Sequence, residues 1–383
     1  MTLEIRGNYF DGQFHLAPLS GTKAVEDKIE RYCPADLNHH LWTLPIENRD
    51  IDKVIESAMK GFKTWKKTSS NDRFSYLKKF QDQLIKRKEE IATAISLETG
   101  KPFWEALTEA QAVIGKVDVT IQESFPRIET KKYPELMPGV DGSVYYKPLG
   151  PCLIIGPFNF PCHLANGQIL SALIAGNSVI FKPSEKTAYS GQLLMECFHE
   201  ANFPAGAVNL IQGRGDLAAR LLNEKTIKGI YFTGSKEVGG KILKSTHKDL
   251  NKLVALELGG KNTCIINKDA DIDHALLEIL KASFWTTGQR CVSTSKVVIH
   301  KSIEESFISR FHALAKRIII DHPINFDEVP FMGPLVDEKS MENYLVFMGM
   351  AIREGAEEIM RGKRLEKKFP GYYVTPSIHH WFA

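Results

Sequence analysis

The sequence predicts an α/β protein in which a doubly wound, Rossmann-like parallel sheet is joined to a second α/β domain. Short apolar strands alternate with helices after residue 150, and the segment before them has the periodicity of amphipathic helices. A second alternation of strands and helices begins near residue 252. Strands that alternate with helices form βαβ units, and these units build a parallel sheet with helices on both faces.

The first alternation defines the expected sheet. We predict helices near 166–176, 188–202 and 216–223, and the strands between them at 151–156, 178–182, 208–212 and 229–234. Ligands of such sheets bind beyond the carboxyl ends of the strands. The loops expected to converge there carry Asn159, Lys182, Gly213 and Gly234.

Two other segments precede this sheet. Residues 51–127 are predicted to form an amphipathic helical layer, in which Asp72 or Asn71 caps the start of a helical stretch and Gly100 ends it. In residues 131–150, Asp141 and Gly142 are followed by aromatic and β-branched residues, which predicts a hairpin with this pair at its tip. We expect a protruding two-stranded flap.

The second alternation predicts the second domain. It contains apolar strands at 252–258, 263–267 and 296–300, with helices at 271–287 and 303–317.

The composition is that of an ordinary globular protein, since 43% of the 383 residues are hydrophobic and the formal net charge is +3. The basic residues are scattered, so we expect no nucleic-acid partner. No apolar run approaches the ~18 residues of a membrane span, and the first residues lack the pattern of a secretion signal. We expect a cytoplasmic protein that has no membrane partner.

The six cysteines include no close CxxC pair, which indicates reduced thiols and neither a disulfide framework nor a metal site. Cys152 and Cys264 lie in predicted apolar strands and Cys197 lies in a predicted helix, so packing explains them best. Cys162 is also interpreted as structural, and Cys33 carries no functional signal. Cys291 differs, because its neighbours in "FWTTGQRCVSTS" are polar.

Two glycine-containing segments are candidate phosphate-binding turns. The segment "GRGDLA" (213–218) fits GxGxxA after a strand, although a plain turn into a helix has the same pattern. In "FTGSKEVGGK" (232–241), Gly234 and Gly239 bracket the start of a helix whose amide groups are suited to bind a phosphate. Neither segment alone decides between a turn and a binding site.

Five motifs occur together in one order: "GPFNFP" (156–161), "FKPSE" (181–185), "FTGSKEVG" (232–239), "LELGGKN" (256–262) and "GQRC" (288–291). With them the sequence resembles the aldehyde dehydrogenase superfamily, from about residue 5 to its last residue. Its segments "GPFNFPCHLANGQILSALIAGNSVIFKPSE" and "ETGKPFWEALTEA" are most similar to N-succinylglutamate 5-semialdehyde dehydrogenases of arginine catabolism.

The resemblance implies a domain plan and an activity. Residues 1–129 and 150–256 would form the NAD-binding domain, 130–149 an oligomerisation hairpin, and 257–383 the catalytic domain. The implied reaction is the NAD-dependent oxidation of an aldehyde to a carboxylic acid, and the implied assembly is a homodimer or homotetramer. The expected partner is a small-molecule aldehyde.

The catalytic residues implied by the resemblance are Cys291, Asn159 and Glu257. Cys291 matches the nucleophile, with a packed small side chain as the alternative. Asn159 and the backbone N–H of Cys291 would bind the oxyanion, although a turn asparagine is also common beside proline and glycine. Glu257 would activate water, which favours hydrolysis over acyl transfer to coenzyme A. Its apolar strand predicts a buried carboxylate, and a salt-bridged structural residue is the alternative.

The resemblance also implies the cofactor contacts. Lys182 and Glu185 would hold the adenine ribose, and the carboxylate would repel a 2'-phosphate, so we expect NAD and not NADP. Gly234, Ser235 and Gly239 would bind the pyrophosphate, and Pro157 and Phe158 would shape the nicotinamide end. Alternative roles are a solvated charge for Lys182 and Glu185, a helix cap for Ser235 and a core position for Phe158.

The sequence departs from the family at its carboxyl end. Family chains continue for roughly a hundred residues more, so we expect the ExFGP motif and the last strands to be missing. Two rival interpretations follow: a remnant that binds nucleotide without turnover, or a thiol hydrolase that uses Cys291 and Glu257 without a redox step. An anionic substrate would need a cation near the nucleophile, and Arg290 is either that cation or a salt-bridged or exposed residue.

Overall fold

A computed structural model describes residues 3–18 and 27–381 of the chain. Its strands are β1 (Asn8–Phe10), β2 (Gln13–His15), β3 (Lys28–Cys33), β4 (Asp36–Pro45), β5 (Lys131–Met137), β6 (Val140–Val144), β7 (Cys152–Ile155), β8 (Val179–Lys182), β9 (Val208–Leu210), β10 (Gly229–Gly234), β11 (Leu253–Leu258), β12 (Asn262–Ile266), β13 (Thr294–Ile299), β14 (Glu357–Met360) and β15 (Ile378–His380).

The helices of the same ranges are α1 (Ile51–Trp65), α2 (Ser70–Lys86), α3 (Lys88–Thr99), α4 (Phe103–Val119), α5 (His163–Ile174), α6 (Ala188–Glu200), α7 (Gly215–Leu222), α8 (Lys236–Thr246), α9 (Ile272–Phe284), α10 (Glu304–Ala315) and α11 (Glu338–Arg353). Within the described part of the chain, none of these helices has the length and apolarity needed to cross a membrane.

The main sheet has the strand order β11-β10-β7-β8-β9-β1-β2. The pairs from β11 to β9 are parallel, and β1 and β2 add an antiparallel edge. Strands β7, β8, β9 and β10 lie within a few residues of their predicted positions, and a helix follows each of them. The predicted doubly wound α/β fold is therefore confirmed.

Helices cover both faces of this sheet. Successive residues of a strand point to opposite faces, so Cys152 and Ile154 of β7 join one hydrophobic core while Leu153 and Ile155 join the other. The first core also contains residues of α2 to α6, and the second contains residues of α1, α7 and α8. All four residues of β7 are buried, as expected of a parallel strand between two helical layers.

The predicted helical layer at 51–127 consists of α1 to α4 followed by short π and 3₁₀ turns. Gly100 ends α3 in the left-handed conformation, as predicted, with φ +79°. The predicted cap of the preceding helix is wrong. The side chain of Ser69 caps α2 by accepting a hydrogen bond from the backbone N–H of Asp72.

The predicted hairpin is formed by β5 and β6, and its side chains are largely exposed. Its tip was predicted three residues too late in the chain. Residues 138 and 139 make the turn, with Gly139 at φ +73°, whereas Asp141 and Gly142 belong to β6. The carboxylate of Asp141 accepts a hydrogen bond from the backbone N–H of Glu135, so it braces the hairpin from within the strand.

The prediction that a second α/β segment begins near residue 252 is wrong for its first strand, β11. Strand β11 pairs in parallel with β10 from Gly229↔Leu253 to Gly234↔Leu258, which makes it the edge of the main sheet. The second unit begins after this strand, with the parallel pair β12 and β13. Helices α9 and α10 cover this pair, and Ile279, Phe307 and Phe311 lie in its core.

Candidate functional site

A cavity of about 1340 Å³ lies beyond the carboxyl ends of β7, β8, β10 and β11. The loops predicted to converge do so in part, because Gly215 lines the cavity in place of Gly213 of the same turn. Most of the predicted site residues line it together: Pro157, Phe158, Asn159, Lys182, Glu185, Gly234, Ser235, Glu257 and Cys291. Most residues that were predicted separately from the sequence therefore lie together at one cavity.

Gly239 is the predicted site residue that does not line this cavity in the described structure. A Cβ atom added at Gly239 would lie 2.8 Å from the side chain of Leu258 on β11. The absence of a side chain at this position therefore lets α8 pack closely against the sheet.

Cys291 lies on a loop that follows a tight turn at Trp285–Gly288, and its side chain is half-buried at the cavity wall. Thr286 and Thr287 both have φ +55°, which β-branched residues rarely adopt. The carboxylate of Glu105 on α4 holds this backbone, because it accepts hydrogen bonds from the N–H and the hydroxyl of Thr286. The loop of Cys291 is thus fixed by a residue far away in the sequence.

Asn262 supports the other side of the same loop. Its side-chain amide donates hydrogen bonds to the carbonyl oxygen of Cys291 at 2.8 Å and to that of Ser293 at 3.0 Å. Asn262 ends the "LELGGKN" motif, but no role was predicted for it. The feature of the sequence that could have indicated such a role is a polar side chain soon after an apolar strand and a pair of glycines.

Asn159 lies beside the loop of Cys291. Its side-chain nitrogen donates a hydrogen bond to the carbonyl oxygen of Gln289 at 2.8 Å, two residues before Cys291. An amide nitrogen carries two protons, so a second one is left for a substrate oxygen. The structure therefore brings the predicted oxyanion donor and the predicted nucleophile together.

A buried ion pair positions the backbone of Asn159. Lys101 and Glu109 form a salt bridge with both side chains fully buried, and the Lys101 ammonium donates a hydrogen bond to the carbonyl oxygen of Asn159 at 2.8 Å. Glu109 also accepts hydrogen bonds from the backbone N–H groups of Cys162 and His163, where α5 begins. One carboxylate thus connects the start of α5 to the loop of Asn159.

The sequence analysis missed Lys101, Glu105 and Glu109. Glu105 and Glu109 are one helical turn apart on α4 and share a face with the buried residues Ala106 and Ala110. A charged residue at a position where the helical period expects an apolar one was the available signal.

Glu257 corrects a prediction, because the structure places it exposed and not buried. It lies on the edge strand β11, where side chains alternate between two faces. Val254, Leu256 and Leu258 pack against the core of the main sheet, so Glu257 points to the opposite face. It still lines the cavity that contains Cys291.

Arg290 forms a salt bridge, which is one of the roles that the sequence analysis left open for it. Its guanidinium pairs with Glu105, donates to the hydroxyl of Thr286, and lies over the rings of Phe160 and Trp285 at 5.4 and 5.1 Å. The Glu105 carboxylate neutralises this cation, so Arg290 adds to the support of the loop of Cys291.

The opposite part of the cavity has the features of a dinucleotide cradle. Lys182 is buried at the end of β8; its ammonium donates to the carbonyl oxygen of Pro183 and lies 3.9 Å from Glu185, and burial lowers its pKa. The hydroxyl of Ser235 caps α8 by accepting from the N–H of Val238. A Cβ atom at Gly234 would lie 2.4 Å from the ring of Phe232, so only glycine fits where β10 meets this helix.

The other cysteines differ from Cys291 in their surroundings. Burial raises the pKa of Cys152 and Cys197 to about 12, and it raises the pKa of Cys33 and Cys162 as well. These thiols are buried, in agreement with the packing role predicted for Cys152, Cys162 and Cys197. Within residues 3–18 and 27–381, no cluster of His, Cys, Asp and Glu side chains has the arrangement of a metal site.

The comparisons with known proteins identify the family of the chain. Residues 22–381 match the model of the aldehyde dehydrogenase family. An N-succinylglutamate 5-semialdehyde dehydrogenase of Novosphingobium aromaticivorans is 34% identical over 86% of this chain and 69% of its own length. Other curated relatives with that name are 34–37% identical, and the chain spans as little as 63% of their length.

Two solved structures share the fold. An NAD-dependent aldehyde dehydrogenase from Sinorhizobium meliloti superimposes with a TM-score of 0.91 at 28% identity, covering 97% of this chain and 73% of that one. A 1-pyrroline-5-carboxylate dehydrogenase from Thermus with bound NAD has a TM-score of 0.88 at 28% identity, covering 98% and 71%. The motif resemblance is thereby confirmed, and the chain belongs to the aldehyde dehydrogenase family.

Proposed function

We propose that the protein oxidises an aldehyde to a carboxylic acid with NAD as the hydride acceptor, through a covalent adduct on Cys291. The observation that supports this most directly is the shared cavity. Cys291, Asn159 and Glu257 line one part of it, and Lys182, Glu185 and Ser235 line another. The aldehyde and the cofactor would therefore meet at the carboxyl edge of the main sheet.

The proposed first step is attack of the Cys291 thiolate on the aldehyde carbon, which forms a thiohemiacetal. The carbonyl oxygen becomes negatively charged, and it would be met by the second amide proton of Asn159 and by the backbone N–H of Cys291. Because Lys101 and Glu105 hold the two loops from one side, these donors are placed before substrate arrives. Such preorganisation lowers the barrier more than flexible donors would.

Loss of a hydride from the same carbon leaves a thioester on Cys291. Bound NAD supplies the hydride acceptor. Water then attacks the thioester while Glu257 takes a proton from it, the C–S bond breaks, and the carboxylate leaves with the thiol restored. The exposed position of Glu257 gives it direct access to water.

Glu185 is proposed to select NAD over NADP, because its carboxylate would face a 2'-phosphate with like charge. Replacing Glu185 with Gln is expected to raise kcat/KM for NADP relative to NAD by about tenfold, since the side chain is 43% exposed and solvent screens the repulsion. Initial rates with each cofactor measure this ratio. Glu278→Gln on α9 is the matched exposed control; an unchanged ratio in Glu185→Gln would contradict the assignment.

The proposed substrate is N-succinylglutamate 5-semialdehyde, in arginine catabolism, because the curated relatives carry that name. We propose the cytoplasm as its location and a homo-oligomer as its assembly. The hairpin of β5 and β6 would form part of the subunit contact, since it exposes Tyr133, Leu136 and Met137.

The test is NADH absorbance when the purified chain is mixed with NAD and N-succinylglutamate 5-semialdehyde, with the acid product identified by mass spectrometry. One NADH and one carboxylate per aldehyde are expected. NAD binding without NADH formation would favour a catalytically incomplete remnant. Cysteine-dependent ester cleavage without NADH formation would favour a thiol hydrolase. Either of these results would overturn the proposed reaction.

A further inference from the structure

The cavity wall carries more cations than anions. Its carboxylates are Glu185 and Glu257, and its lysine and arginine residues are Lys116, Lys182, Lys186, Lys241 and Arg290. Most of these cations have a carboxylate partner: Lys182 has Glu185, Lys186 has Asp337, Lys241 has Glu237, and Arg290 has Glu105. Among the described lining residues, Lys116 is the cation that has no ion pair.

Lys116 lies near the carboxyl end of α4, half-buried at the cavity wall. Its side chain runs past Gly167 on α5, where an added Cβ atom would lie 3.3 Å from the lysine Cε. A half-buried ammonium loses part of its hydration, and no carboxylate of the described residues pairs with Lys116 to replace it.

His163, at the start of α5, lines the same cavity as Lys116. Its Nδ1 atom is buried and has no hydrogen-bond partner in the described part of the chain. Burial lowers the pKa of His163, and the charges of Lys116 and Lys101 lower it further, while Glu109 raises it. When the imidazole of His163 is neutral, Lys116 carries the positive charge in this part of the cavity wall.

The position of Lys116 relative to the nucleophile follows from α4. Lys116 is seven residues beyond Glu109, so the two residues share a face of the helix and lie about 10 Å apart along its axis. Glu109 contacts the start of α5 and, through Lys101, the loop of Asn159. A substrate whose carbonyl group lies at Asn159 therefore has to be an extended molecule to reach Lys116.

We propose that Lys116 is a specificity-determining residue that binds the carboxylate of an extended, anionic aldehyde. The inference rests on the proposed function, and it replaces Arg290 as the cation that recognises the substrate. The Lys116 ammonium would donate to the carboxylate far from the reacting carbon, and His163 borders the same corner of the cavity.

The test uses binding and not turnover. In a Cys291→Ala background, titration calorimetry measures the affinity for N-succinylglutamate 5-semialdehyde and for its neutral dimethyl ester. Adding Lys116→Met is expected to weaken binding of the anion by about 10- to 100-fold, the value of a hydrogen bond to a charged group, and to leave ester binding nearly unchanged. Lys116→Arg is expected to restore most of the anion affinity, because it keeps the charge.

Two controls sharpen the comparison. Lys63→Met removes an exposed lysine of α1 that does not line the cavity, and it is expected to leave both affinities unchanged. Lys116→Gln removes the charge while keeping a polar side chain, and it serves if the methionine variant is unstable. Equal loss of anion and ester affinity, or no binding of the anion by the parent, would overturn the role of Lys116. Failure of the proposed oxidation itself would be seen separately, as absent NADH formation.

Discussion

Cys291→Ala is expected to abolish aldehyde-dependent NADH formation, with a fall in kcat of about 10⁴-fold or more. The proposed reaction requires a covalent bond between the sulfur and the aldehyde carbon, and alanine has no atom that can form it. Asn159 and the loop of Cys291 are held by hydrogen bonds of Lys101, Glu105 and Asn262 that do not involve the replaced sulfur, so the fold is expected to persist. Initial rates of NADH formation and a melting curve measure the two effects.

Cys264→Ala is the matched control for this prediction. Cys264 is half-buried, as Cys291 is, but it lies on β12 and packs against the core beneath α9 and α10. Its replacement is expected to leave the rate nearly unchanged. A Cys291→Ala protein that still oxidises the aldehyde would show that another group carries the reaction.

Lys101→Met is expected to lower the free energy of unfolding by about 3–5 kcal/mol, because it leaves Glu109 as a buried charge without its cation. It also removes the hydrogen bond to the carbonyl oxygen of Asn159, so activity should fall in whatever fraction remains folded. Urea unfolding followed by circular dichroism measures the loss of stability.

The same argument predicts how the partner variants behave. Adding Glu109→Gln to Lys101→Met is expected to recover part of the lost stability, since glutamine is neutral and its oxygen can still accept from the N–H groups of Cys162 and His163. Lys78→Met breaks the ion pair of Lys78 with Asp118, in which both side chains are about half exposed, and should cost less than about 1 kcal/mol. A comparable loss from Lys78→Met and Lys101→Met would contradict the importance of burial.

The parallel strands β7, β8, β9 and β10 of the main sheet were predictable from the sequence. Strand segments such as 151–156 and 229–234 are short, apolar and separated by helical patterns, so both the element type and the parallel arrangement follow from local composition. The co-location of Cys291, Asn159 and Lys182 followed from the motifs and from the rule that such sheets bind ligands at their carboxyl edge.

Features that depend on three-dimensional neighbours were not predictable. Strand β11 has the same apolar pattern whether it joins the first sheet or a second one, so neither its partner β10 nor the exposure of Glu257 could be inferred from the pattern. The hairpin tip was predicted at the wrong residues. The carboxylate of Asp141 accepts a hydrogen bond from the backbone N–H of Glu135, so Asp141 stabilises the paired strands and does not form the turn. The partner of Lys101 was not predictable, because a charged residue at an apolar position of α4 indicates burial but does not identify the residue with which it pairs.

The carboxylate of Glu105 has a consequence for the order in which the protein assembles. It joins α4 to the loop of Cys291 across 181 residues of sequence, and it bonds the backbone of Thr286, one of the two threonines with positive φ. During synthesis α4 leaves the ribosome long before that loop exists, and the loop can adopt its observed conformation only by docking onto a helical layer that is already in place. The loop of Cys291 is therefore ordered late, after the strands and helices that are proposed to bind the cofactor, and a nascent chain would complete the proposed nucleotide site before it presents the Cys291 thiol.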